Sequence, residues 1–200
     1  MATNPDLAPA TRRLGALLAR VRDSDLGAPT PCENYTLGDL IDHVNGLAQA
    51  FTWAASKKWP DGMGSTGPSG DASRLEPDWR ARVPERLDAL GAAWRSPDAW
   101  TGMTEAGGVQ LPGEVAGRVA LNEVVVHGWD VARAIGQPYA CDPDEIAACL
   151  AFVEPAVREN DGAGTPGLFG PTVTVPDDAT PLDRMIALTG RDPSWTPPAP

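Results

Sequence analysis

The chain has 200 residues, 42% of them hydrophobic, and carries 16 basic against 27 acidic side chains for a net charge of −11. That length and apolar content suit one domain with a full-sized core, and so negative a balance excludes nucleic acid, whose phosphates need a basic footprint. No apolar run reaches the ~18 residues of a membrane span, the opening MATNPDLAPATRRL lacks the layout of a secretory leader, and three cysteines fit free thiols in a reducing compartment; a cytoplasmic protein is expected.

The first predicted helix covers residues 5–23, where Leu7, Leu14, Leu17, Leu18 and Val21 form an apolar stripe and Pro5 is tolerated in the first turn. Two prolines in GAPTPCENY stop it. A second helix opens at Thr36, with Asp39 as reciprocal cap, and runs to Lys57; Leu40, Val44, Leu47 and Phe51 recur at helical spacing, and His43 shares their inward stripe. Residues 60–77 are Gly/Ser/Pro-rich and have no apolar period, which reads as a loosely held loop or, more sharply, a mobile lid.

The third helix, 78–95, turns Trp79, Val83, Leu87, Leu90 and Trp94 inward, and Pro84 either kinks it or marks the start of its regular part. An irregular connection with a short strand at 109–111 leads to the fourth helix, which takes Pro112 in its first turn and runs through Ile135 to a stop at Gly136. Asp142, Pro143 and Glu145 open a fifth helix that reaches Glu159. The segment DGAGTPGLFGPTVTVPDDA is extended and long enough to cross the bundle, and a last helix fits 180–189, with Gly190 past its end. The expected architecture is all-α: four long helices in a bundle, a short C-terminal helix and long Gly/Pro-rich loops, forming one domain over 1–192 with a flexible tail over 193–200. An apolar helix face would allow a homodimer.

Chemistry concentrates in LNEVVVHGWDVARAIG, residues 121–136. On a helix Glu123 and His127 lie about 40° and roughly 6 Å apart, so they share a face and can chelate one divalent ion. Such pairs also commonly just hydrogen-bond or face water, and His43, the other of only two histidines, reads first as a core imidazole satisfied by a carbonyl. Alanines 116, 120 and 134 beside the pair leave room for a pocket. Asp39 and Asp130 are candidates for fixing imidazole orientation from behind, or else a helix-terminal charge and a packing carboxylate. Cys32 sits just before a helix N-terminus, where thiolates are favoured, although small cysteines in turns usually pack. Cys141 and Cys149 read as a boundary and a core residue, Trp129 as core, and Trp53, Trp59 and Trp100 as candidates for a pocket mouth.

The sequence resembles the actinobacterial metal-binding branch of the DinB-like superfamily, related to the N-terminal domain of mycothiol-dependent maleylpyruvate isomerases. TPCENYTLGDLIDHV is similar to that family's TPC-x-x-W-[ST]-V-x-x-L-x-x-H entry to the second helix, with Tyr35 in place of the tryptophan. NEVVVHGWDVARAIG resembles its E-x-x-x-H-x-W-D-[LV]-A element, and FGPTVTVPDDATPLDRMIALTGRDP its closing segment. The resemblance spans nearly the whole chain and implies a DinB-like four-helix bundle in which His43, Glu123 and His127 are the metal ligands and a further coordination position stays open. The isomerases carry an additional C-terminal domain that this length does not hold, so the specific isomerisation is not implied. The implied partners are a small-molecule substrate and a low-molecular-weight thiol.

Two imidazoles and a carboxylate suit zinc, with nickel or iron also accommodated. On the resemblance, the metal activates mycothiol as a thiolate against a small electrophile, as in a transferase or isomerase. Alternative readings are a hydrolase using metal-bound water and a non-catalytic bundle that binds a metal or small ligand.

Overall fold

The computed structural model describes residues 4–60, 67–165 and 167–198. Six helices follow in order: α1 Ala8–Leu18, α2 Leu37–Ser56, α3 Trp79–Ala93, α4 Gly113–Ala134, α5 Pro143–Glu159 and α6 Pro181–Leu188. The expected all-α bundle is formed by α1 to α4; α1 and α2 each pack against both α3 and α4, while α5 packs on α4 and α6. Leu14, Leu40, Ile41, Leu87, Leu90, Leu121 and Val125 are all but inaccessible in its centre, each burial contributing about 1.5–3 kcal/mol. Among the described residues, no helix is long and apolar enough to cross a membrane.

Local chemistry sets the helix starts. Thr36 Oγ1 accepts from the Asp39 amide while the Asp39 carboxylate accepts from the Thr36 amide, a reciprocal cap. Asp142 and Glu145 repeat the device on α5. The first helix is shorter than its apolar stripe: the Asp6 carboxylate accepts from the Ala8 amide at its start, and an Arg22–Asp25 pair stabilises a separate 3-10 turn, Asp23–Asp25, beyond its end. Pro112 stands before α4 as its N-cap rather than in its first turn. Pro84 is inside α3.

The connection after α3 holds a hairpin rather than one strand: β1 Met103–Ala106 pairs antiparallel with β2 Val109–Pro112, Ala106 opposite Val109. Gly107 and Gly108 form its two-residue turn, both at positive φ (58° and 80°), as a type I′ turn requires. Residues 61–66 of the expected loop lie outside the described residues, but 67–77 are not loosely held. They descend along α2, with a 3-10 turn at Ala72–Arg74, and the Ala72 amide donates to Asp39 (2.8 Å). The closing segment packs along the last two helices: Phe169 stacks edge-on against Phe152 of α5, and the Val173 amide donates to the Ala187 carbonyl of α6. After α6, Arg133 donates to the Pro193 carbonyl and Trp195 packs against the core.

Candidate metal centre

Because α2 and α4 are neighbours, the stripe carrying His43 faces the stripe carrying Glu123 and His127. One ligand-type atom from each of these three side chains lies within 4.8 Å of the other two. The imidazole centroids are 5.1 Å apart with the rings nearly perpendicular, and His127 Nε2 is 3.1 Å from Glu123 Oε2. That last separation is close to the roughly 3.3 Å edge of a tetrahedron with 2.0–2.1 Å bonds.

Each ring is oriented by its other nitrogen. His43 Nδ1 lies 2.7 Å from the Pro68 carbonyl. A carbonyl only accepts, so Nδ1 carries the proton and Nε2 keeps its lone pair. The approach depends on Gly46, since a Cβ there would come within 2.5 Å of the Pro68 Cβ. Asp42 anchors the same loop by accepting from the Asp71 amide (3.1 Å) and from Arg74 (2.7 Å). His127 Nδ1 donates to Asp130 Oδ2 at 2.9 Å, and the fully buried Asp130 also receives Arg191 Nη2 at 3.3 Å.

The electrostatics of the two imidazoles diverge. Burial, then the charge of neighbouring His127, push His43 down to about 4. Burial alone would also lower His127, but its hydrogen bonds to Asp130 and Glu123 outweigh that and hold it up at about 9. Burial would raise the Glu123 carboxyl; the His127 hydrogen bond and the positive charges of His127 and Arg191 bring it below its ordinary value. The metal-free site is therefore a His127–Glu123 ion pair beside a neutral His43.

A cavity of about 330 Å³ opens on this triad, lined also by Cys32, Asn122, Phe169 and Arg191. Asn122 Nδ2 and Arg191 Nε are buried and have no hydrogen-bond partner among the described residues, a costly state that a polar ligand would relieve. Burial, with Asp130 and Glu123 adding to it and Arg191 opposing, pushes the Cys32 thiol up to about 11, which makes it a poor nucleophile.

Of the two carboxylates expected behind the rings, Asp130 is there and Asp39 is not. Asp39 bonds to Thr36 and Ala72 and to neither imidazole, so it caps α2 and anchors the loop. Trp100 is buried against Trp94, and neither it nor Trp53 nor Trp59 lines this cavity; Trp129 is core, Cys141 half-buried and Cys149 buried. Sequence reasoning missed Pro68, Asn122 and Arg191. The single available signal was Arg191 itself, an arginine directly after the glycine that ends α6.

Comparison with known proteins adds an independent line. Residues 7–132 match the family described as the mycothiol maleylpyruvate isomerase N-terminal domain. Two Mycobacterium tuberculosis proteins described as uncharacterized, MT0763 of strain CDC 1551 / Oshkosh and Rv0738 of strain ATCC 25618 / H37Rv, are each 36% identical over 192 residues, covering 88% of this chain and 90% of theirs. The crystal structure of the mycothiol-dependent maleylpyruvate isomerase superposes with a TM-score of 0.53 at 24% identity, over 74% of this chain and 66% of that one. A histidine-to-alanine mutant of that isomerase gives 0.55 at 23%, over 79% and 70%. The chain thus spans just under two thirds of the first structure, and at these identities the likeness is one of fold.

Proposed function

The chain belongs to the mycothiol maleylpyruvate isomerase N-terminal domain family, and on that premise we propose that it is a metal-dependent enzyme of the thiol transferase or isomerase type, using mycothiol against a small electrophile. The observation that carries this reading is the convergence of His43, Glu123 and His127 within 4.8 Å at the floor of an open cavity. The donor set fits a divalent ion: each ring commits Nδ1 to an acceptor and leaves Nε2 toward the common point, as ligating histidines do. Zinc is the natural occupant of two imidazoles and a carboxylate, with nickel and iron compatible. When bound, such an ion supplies Lewis acidity that keeps a thiol as thiolate at neutral pH.

The protein's own groups do the rest. Asp130 and the Pro68 carbonyl hold the rings, and Arg191 keeps Asp130 paired within the low-dielectric core. Asn122 Nδ2 and Arg191 Nε offer donors to a polar group of either reactant. As the sulfur lone pair forms the S–C bond, the displaced electron pair moves onto the electrophile, and fixed donors beside it stabilise the developing charge. Hydrolysis is less well served, because both histidines of the chain are committed to the triad and no imidazole is left to act as base.

The test is metal content and thiol dependence. Purified protein is expected to hold close to one equivalent of zinc or a similar ion by elemental analysis, with His127→Ala losing it; equal content in the two would reject the site. Consumption of an electrophile should require mycothiol, and equal turnover of esters or amides without thiol would favour the hydrolase.

A further inference from the structure

Two cavities of different character meet at the triad, the first of mixed polarity and the second mainly apolar. Besides the first, a second of about 380 Å³ is also walled by His43 and Glu123, and Gly167 and Leu168 run along both. The rest of its wall is apolar: Leu47 and Phe51 come from α2, Leu111 from β2, and Val119 from α4, one turn before Glu123 on the same face. Val109 and Leu168 also line it, 61% and 36% exposed, two of the four large hydrophobic side chains left open to solvent among the described residues. The buried donors Asn122 and Arg191 line only the first cavity.

A wet apolar wall costs free energy in proportion to its area, and an exposed apolar cluster leading into a concave site marks where a ligand covers it. The volume lies in the range of small-molecule sites, and the cavity runs down to two side chains of the triad. A molecule spanning both cavities is therefore oriented, with its polar end toward Asn122 and Arg191 and its apolar end over Phe51 and Val119.

We infer that the second cavity is the subsite for the apolar body of the electrophile, so that the protein takes electrophiles bearing a hydrocarbon substituent of several carbons in preference to small, wholly polar ones. The inference rests on the metal-and-thiol reading for the chemistry at the head of the substrate, while the subsite itself requires only the cavity.

Isothermal titration with two homologous series separates these. Hydroxamates of two, four and eight carbons are titrated into zinc-loaded protein, their head group chelating the ion, and n-alkanols of the same lengths into EDTA-treated protein. The expected result is an affinity gain of about fourfold per methylene in both series until the cavity is full, flattened by Val119→Asp at unchanged zinc content. Leu168→Asp, at a solvent-exposed position, is expected to weaken the eight-carbon members by about tenfold or more. Hydroxamate affinities independent of chain length would overturn the subsite and leave the metal centre standing. Chain-length dependence in the alkanols alone, without hydroxamate binding, would support the subsite and reject the metal. Dependence unaltered by both substitutions would place the apolar binding elsewhere and overturn the inference.

Discussion

His43 gives its Nδ1 proton to a neutral carbonyl, whereas His127 is flanked by two carboxylates, and the two rings respond to pH in opposite senses. In the metal-free protein His127 is held at about 9 against an ordinary 6.5, so the folded state keeps a proton that the unfolded chain releases. That contribution is complete below pH 6.5 and is lost as pH rises through 9. His43 sits at about 4, so its contribution is present above 6.5 and is lost as pH falls through 4. Urea unfolding in EDTA should find stability declining between pH 6.5 and 9, with His127→Gln removing much of that decline; identical slopes would refute the assignment. Cys32 gives a second test at this scale. A thiol held at about 11 has on the order of a hundredfold less thiolate at pH 8 than a free cysteine. Iodoacetamide should modify it correspondingly slowly, and Cys32→Ser should keep its metal; alkylation at the rate of a free thiol would contradict this. Glu123, His127 and Asp130 were legible because helical periodicity alone puts them together. Arg191 was not, since it meets Asp130 across 61 residues of chain and only tertiary topology joins them.

Among the elements, helix starts were the most legible, because Thr36 and Thr180 accept from their helices' amides and Glu145 accepts from the Asp142 amide, all within three residues. The hairpin was half legible: Val109 to Leu111 has strand character, but Met103 to Ala106 becomes a strand only by pairing with it. The loop against α2 was illegible, because its anchors Asp39 and Asp42 look like ordinary helix carboxylates until the chain returns to them some thirty residues later. That docking has a testable consequence. Gly46→Ala should favour α2 by up to about 1 kcal/mol through propensity, yet its Cβ would meet Pro68 at 2.5 Å and push the carbonyl away from His43. Loss of such an orienting partner typically weakens a metal site 10- to 100-fold. Competition with a zinc-sensitive chelator should therefore show at least about tenfold weaker binding. Unchanged affinity would mean that the carbonyl does not set the ring.

For the molecule as a whole, the triad links α2 to α4 across 80 residues, with α3 and the hairpin between them in the chain. The unfolded chain keeps at most the weak Glu123/His127 pair, because closing so long a loop around an ion costs conformational entropy with no packing to offset it. An ion that binds all three ligands must therefore stabilise the folded state over the unfolded one. At free zinc one hundred times the dissociation constant the gain is about 2.7 kcal/mol. For a chain of this size, at roughly 2–4 °C per kcal/mol, that is a rise of about 5–10 °C in Tm. Scanning fluorimetry of wild type with EDTA and then with excess zinc should show this rise, and His43→Ala should show almost none, because the two ligands that remain on α4 bind zinc too weakly to favour the folded state at that concentration. An equal rise in His43→Ala would mean that zinc stabilises the bundle without bridging α2 and α4, and the open cavity above His43 would then have no metal at its base.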